Sequence, residues 1–307
     1  MKYMNNDSYR GVDVPTVIAI GNFDGFHRGH RALIENLNKI KLDEGAKSLV
    51  FSFNPRPYEV FNNISGKSIL SFSERMELVD SLEVDILLEY PFSLKFSFMS
   101  GEDFIKNILI DQFGCRHIVI GTDFAFGKDR MWNAKKISEI GADLGVDVTV
   151  LSHELADNEK ISSSAIRELI KNGEIAAANK LLGYDYFLNG QVSHGDKRGH
   201  GLGFPTMNIE PDTAKILPPN GVYITEACLQ DGSRYPSITN IGNNITFGHV
   251  STRTETHIYG FSGSIYGQEA KVIFKERVRG EVKFSGKEEL IRQIAEDLEK
   301  MKEYYGF

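Results

Sequence analysis

Two histidines three residues apart, His27 and His30, are of a type and spacing able to do chemistry. They stand in Pro15–Ile34, PTVIAIGNFDGFHRGHRALI. From Arg28 onward, Leu33, Ile34 and Leu37 repeat at helical spacing, which places both imidazoles on one side of a first helical turn. There the unpaired N–H groups and the positive end of the helix dipole favour an anion. Before the helix, Val17–Ile20 is an apolar run suited to a strand covered on both faces. Gly21, Gly25 and Gly29 let the backbone turn and approach a ligand closely. A structural histidine pair stays open as the other reading. The glycine spacing fits neither GxGxxG nor GxxxxGK[ST], so the commonest phosphate fingerprints are absent.

Further stretches carry polar groups at telling positions. Gly121–Gly127, GTDFAFG, offers Phe124 and Phe126 to flank a planar ring and Asp123 to accept a hydrogen bond from one, with ordinary core packing as the alternative. In Ile161–Arg167, Ser162, Ser163 and Ser164 precede a helix; one serine serves as its N-cap. Together with Arg167 they make a second helix start suited to phosphates. Gly195–Asn208, GDKRGHGLGFPTMN, contains Gly199, Gly201 and Gly203, whose backbone can cradle phosphates or form a flexible hairpin loop. Thr206 and Asn208 are two apart, on one face of a strand, where their oxygens reach a magnesium ion. Glu255 heads a strand in TETHIYG and is either a solvated carboxylate or a general base for an alcohol.

The words GNFDGFHRGH resemble the HxGH motif of the nucleotidyltransferase superfamily, in the GxFDxxHxGH form of bacterial FAD synthetases. GTDFAFG and ISSSAIR match that family's GxDFxFG and ISS[ST]xIR segments in order. Its FxPHP segment stands here as Phe53-Asn54-Pro55-Arg56-Pro57, with Arg56 for a histidine, and Trp132 lies near a usual glycine. The second half is similar to riboflavin kinase, in LGFPTMN, Asn220-Gly221-Val222-Tyr223, Glu255-Thr256-His257-Ile258 and Ile265-Tyr266-Gly267, with Arg279 and Phe284 in an RxxxKF stretch. Departures are His200, Met207 and Asn243-Asn244-Ile245-Thr246, with Met207 expected to crowd the metal ligands.

The resemblance implies a bifunctional enzyme of flavin cofactor synthesis. Riboflavin is phosphorylated to FMN in the C-terminal half, and FMN is adenylylated to FAD with release of pyrophosphate in the N-terminal half, each with Mg2+ and ATP. By the same match, His27 and His30 act on the triphosphate, and Gly21, Asn22, Phe23 and Asp24, with the serine segment, hold nucleotide and phosphates. Glu255 is the base, and Thr206 and Asn208 place Mg-ATP. A monofunctional FAD synthetase with an impaired kinase half and a non-catalytic flavin-binding regulator are the alternatives.

These groups need elements to hold them. Alternating strand and helix patterns run through Ser48–Phe53, Ser73–Leu82 (with Ser73 as N-cap), Val84–Glu89, Gly101–Gln112, His117–Gly121, Asn133–Leu144 and Asp147–Leu151. They predict an α/β, doubly wound parallel sheet of Rossmann-like type. After Leu182-Gly183-Tyr184, short strands without crossover helices predict a six-stranded antiparallel β-barrel: Phe187–Val192, Thr206–Ile209, Val222–Leu229, Tyr235–Ile241, Glu255–Phe261 and Lys271–Val278. A C-terminal helix follows, capped by Ser285 and Glu288. The domains are therefore 1–182 and 183–307.

With 41% hydrophobic and 25% charged residues and a net charge of −7, the chain is expected to be globular and to bind neither nucleic acid nor membrane. Two cysteines, Cys115 and Cys228, and a polar N-terminus point to a reducing cytoplasm. Oligomeric state is not legible.

Overall fold

The computed structural model describes residues 1–5, 11–127, 131–152, 155–156, 159–193, 204–246 and 249–307. Gly199, Gly201, Gly203 and His200 lie outside them. Two compact units emerge, one of residues 1–66 and 75–162, the other of residues 67–74 and 163–307.

The first unit contains β1 (Lys2–Met4), β2 (Thr16–Ile20), α1 (Arg28–Glu44), β3 (Lys47–Phe53), α2 (Pro57–Asn62) and most of α3 (Phe72–Ser81). Next come β4 (Ile86–Tyr90), α4 (Gly101–Asp103) continuing as a π-wound stretch Phe104–Ile110, β5 (Cys115–Gly121), and the β6 (Ala125–Phe126) and β7 (Trp132–Asn133) pair. α5 (Ala134–Asp143), β8 (Asp147–Leu151) and the small pair β9 (Leu155–Ala156) and β10 (Glu159–Lys160) complete it.

Its sheet runs β1-β4-β3-β2-β5-β8, and every neighbouring pair is parallel. β2 is central, and all five of its residues are buried, as a strand covered on both faces requires. Strand order reverses at β2, with β3 on one side and β5 on the other. Ligands of doubly wound sheets bind at the carboxyl ends of such a pair. Phe51 meets Phe104 and Phe113 edge-on at 5.7 and 6.0 Å within one apolar core. β1 is an addition to the expected sheet: Lys2–Met4 is too short to show a period, and only the open edge of β4 makes it a strand.

The second unit contains α6 (Ser163–Asn172), α7 (Ile175–Leu182), β11 (Phe187–Ser193), β12 (Thr206–Ile209), β13 (Gly221–Leu229), β14 (Arg234–Thr246), β15 (His249–Ile258), β16 (Glu269–Gly280) and α8 (Lys287–Tyr305). The strands close a barrel in the order β11-β12-β15-β14-β13-β16. Inside it, Thr225 bonds Ser237 and Thr239, and Thr239 bonds Thr256, each at 2.8 Å, so these buried hydroxyls satisfy one another. Leu298 and Met301 of α8 cover Val222, Ile224 and Ile238 on the outer face.

Residues 67–74 pack with the barrel. Ser68 N–H donates to Ala214 O and Ile216 N–H donates to Ser68 O, both at 2.8 Å. Lys215 and Glu74, each 1% exposed, form an ion pair; Lys215 Nζ also donates to Ile69 O at 2.8 Å and lies 4.5 Å from the Tyr186 ring.

Three local expectations change. α3 is capped by Ser71, not Ser73: the Ser71 hydroxyl accepts from Glu74 N–H at 3.3 Å while Glu74 accepts from Ser71 N–H at 2.8 Å. The N-cap of α8 is Gly286 rather than Ser285, with no side-chain cap, and Ser285 N–H donates to Glu289 Oε2 at 2.7 Å where Glu288 was expected. The strand bearing Glu255 begins at His249 and ends at Ile258, because pairing with the long β14 extends the ladder upstream of Glu255.

Candidate functional sites

The turn after β2 is unusual backbone. Gly21 N–H donates to Phe51 O at 3.1 Å, fastening the turn to β3. Phe23, Gly25 and Phe26 then take φ of 44, 82 and 41°, and two of these are bulky residues in a region that disfavours them. Such conformers cost roughly 1–3 kcal/mol each and persist where packing over-determines them. Here both phenyl rings are fully buried, stacked on each other at 5.5 Å, with the His30 ring 5.0 Å from Phe23.

This turn delivers His27 to the N-cap of α1. Its side chain caps nothing, and the first turn holds no acidic residue. The His27 and His30 rings stack at 3.7 Å, 18° from parallel, and Nδ1 of each is buried without a hydrogen-bond partner. Burial pushes His27 down to about 4, against smaller pulls from Asp24 and Asp123 in the other direction. It takes His30 well below the ordinary range, helped by His27 and Arg75. Both rings are therefore neutral at pH 7, which permits the close stack. Neutral rings offer hydrogen-bonding nitrogens without adding positive charge of their own.

Asp24, 7% exposed, sits in this turn with Oδ2 at 3.2 Å from Arg56 Nη1. Asp123 is exposed just beyond β5, and Asn22 is also exposed. Phe126 is corrected to a core residue: it stacks on Phe104 at 4.5 Å and meets Phe96 edge-on at 5.6 Å. Phe124 is only partly buried and packs against the same core. Ser162 closes the first unit, while Ser163, Ser164 and Arg167 open α6 in the second.

In the barrel, strand register assembles the second site. Asn208 faces Glu255, Glu255 faces Asn240, Asn240 faces Val222, and Val222 faces Arg279, so one row across β12, β15, β14, β13 and β16 carries them all. Thr206 opposes His257 one pair along on the same face. Asn208 is 7% exposed, and its Oδ1 is buried without a hydrogen-bond partner. Met207 is 4% exposed and alternates onto the opposite face, paired with the interior Thr256, so the expected crowding of Thr206 and Asn208 does not arise. Arg279 is engaged elsewhere: Asp297 of α8 grips it with contacts of 3.0, 3.0 and 2.7 Å, and Nη1 donates to Gly280 O.

Several residues at these sites carry no sequence signal. Arg75 lies 5.7 Å from the Phe26 ring, donates to Ser52 Oγ at 2.7 Å and pairs with Glu89, which also accepts from Tyr3 and Asn54. Asn240 adjoins Glu255 only through register. A surface-like helical arginine and a mid-strand asparagine acquire meaning only once strand pairing brings distant partners beside them.

A phosphate-transferring enzyme with two sites is the class these units define. A model of FAD synthetase matches residues 10–165, and one of riboflavin kinase matches residues 182–305. Proteins named bifunctional riboflavin kinase/FMN adenylyltransferase are similar along the whole length. The one from Buchnera aphidicola is 36% identical over 95% of this chain and 94% of its own. Those from Listeria monocytogenes and Escherichia coli K12 are 35% and 31% identical, covering 96% and 94% of this chain and 94% and 93% of theirs. A crystal structure titled macrolide-efflux protein, from Streptococcus pneumoniae, superposes with a TM-score of 0.88 at 28% identity, over 98% of this chain and 99% of that one. The chain belongs to the bifunctional riboflavin kinase/FMN adenylyltransferase family. Among the described residues, no helix is long and apolar enough to cross a membrane.

Proposed function

We propose that the two activities divide along the chain near residue 182, with the β2–α1 turn serving adenylyl transfer and the Glu255 row serving the kinase. The enzyme phosphorylates riboflavin to FMN and adenylylates FMN to FAD. The observation that carries the residue assignment is the row in which Asn208, with its orphaned oxygen, faces Glu255.

In the kinase half, Glu255 takes the proton of the ribityl 5′-hydroxyl as its oxygen attacks the γ-phosphorus of ATP and ADP leaves. The Thr206 hydroxyl and Asn208 Oδ1 are hard oxygen donors on one face, a set that fits magnesium. They would hold the ion, which when bound neutralises charge on the phosphates. In the other half, a phosphate oxygen of FMN attacks the α-phosphorus of ATP and pyrophosphate leaves, so no proton need be removed. His27 and His30 donate hydrogen bonds to the oxygens on which charge accumulates, beside the open N–H groups of α1. The composition and two free cysteines support a cytoplasmic location.

Incubation with riboflavin, ATP and magnesium, followed by chromatography, is expected to give FMN and then FAD. Riboflavin left unconverted while supplied FMN becomes FAD would remove the kinase claim.

A further inference from the structure

We propose that Arg56 is a positioning residue for adenylyl transfer: it pins the Asp24 carboxylate in the turn ahead of His27 and cancels that charge beside the path of the phosphates. The proposal rests on the assignment of adenylyl transfer to the β2–α1 turn.

The guanidinium is fixed before it meets Asp24. Arg56 is 9% exposed at the entry to α2. Its Nη2 donates to Glu59 Oε1 at 2.7 Å and to Gly66 O at 2.6 Å, and its backbone N–H donates to Glu59 Oε2 at 2.8 Å. Glu59 is held in turn by Gly66 N–H at 2.8 Å, and the Tyr58 ring lies 5.1 Å from the guanidinium carbon. With Nη2 doubly committed, Nη1 is presented to Asp24 at 3.2 Å. A planar fork held at one end delivers its other end in a single direction, which a flexible ammonium does not do.

What it reaches matters. Asp24 precedes His27 by three residues and stands between Phe23 and Gly25, in the left-handed backbone that sets the start of α1. A carboxylate here opposes an incoming triphosphate, and it draws a proton toward His27, as does Asp123. Arg75 acts the other way on His30. By neutralising Asp24, Arg56 keeps the helix end open to anions and His27 uncharged, and a guanidinium does so at any working pH.

The test uses the full-length protein carrying Arg56→Gln, Arg56→Lys, or Arg56→Gln with Asp24→Asn. In Arg56→Gln, kcat/KM for ATP in FMN adenylylation is expected to fall about 100-fold, with riboflavin phosphorylation within twofold of wild type. NMR titration is expected to place the His27 imidazole at least one pH unit higher, a change that loss of packing alone would not produce. Arg56→Lys should recover part of the loss, and adding Asp24→Asn should regain at least tenfold over Arg56→Gln. Adenylylation within threefold of wild type, an unmoved His27 titration, or no gain from removing the carboxylate overturns the proposal. If Arg56→Gln does not fold, Arg56→Lys carries the test, and an unchanged KM for ATP with an unmoved His27 overturns it. His27→Ala separates the two levels: full adenylylation in that variant refutes the site itself, whereas its loss alongside an active Arg56→Gln refutes only the role of Arg56.

Discussion

Acid should weaken the first unit through its two stacked histidines. In the unfolded chain each imidazole titrates near 6.5, whereas burial holds His27 at about 4 and His30 well below its ordinary range. Above pH 6.5 neither state binds these protons and stability is unaffected. As pH falls below 6.5 the unfolded chain takes up protons that the folded unit refuses, so stability falls by about 1.4 kcal/mol per pH unit for each histidine. For His27 the loss continues to its folded value and totals about 3 kcal/mol. Trp132 is the only tryptophan, and it lies in this unit against Gly101 and Gly127, so its fluorescence follows this unit's unfolding. Urea titrations between pH 7 and 4.5, read at Trp132, should show a shallower acid dependence for His27→Gln than for wild type, by about 1.4 kcal/mol per pH unit. Parallel curves for the two proteins would show that His27 does not stay neutral by burial, and the hydrogen-bonding role given to it would fall.

Two further outcomes concern the barrel unit. Lys215→Ala strands Glu74 in the interior and is expected to cost about 3–5 kcal/mol, seen as faster hydrogen exchange in residues 67–74 and β11, whereas surface Lys171→Ala should leave both protected. Asp297→Ala frees Arg279 and should loosen α8 by about 3 kcal/mol in exchange measurements, raising KM in the kinase reaction without touching FMN adenylylation.

The fold was readable wherever a pattern is local. The apolar run Val17–Ile20 made a buried strand, helical spacing after Arg28 made α1, and short alternating runs made the barrel strands. Thr206 and Asn208 were placed on one face by a period of two, and the same period, carried one residue further, turns Met207 inward. What escaped depends on distant partners. Ser71 rather than Ser73 caps α3 because Glu74 is committed to Lys215 and Asn189 far along the chain. Phe126 entered the core because Phe104 offered it a stacking partner, and the Arg279 guanidinium is taken up because α8 brings Asp297 to it. The left-handed Phe23 and Phe26 are strained choices that propensity argues against, and such conflicts gather where function is held.

The separation of the two sites is tested most directly by assaying both half-reactions on Glu255→Ala and on His27→Ala with His30→Ala. The first protein is expected to form no FMN from riboflavin yet convert supplied FMN to FAD at a near-normal rate, and the second to do the reverse. Loss of both activities in either folded protein, or persistence of the kinase without Glu255, would contradict the account.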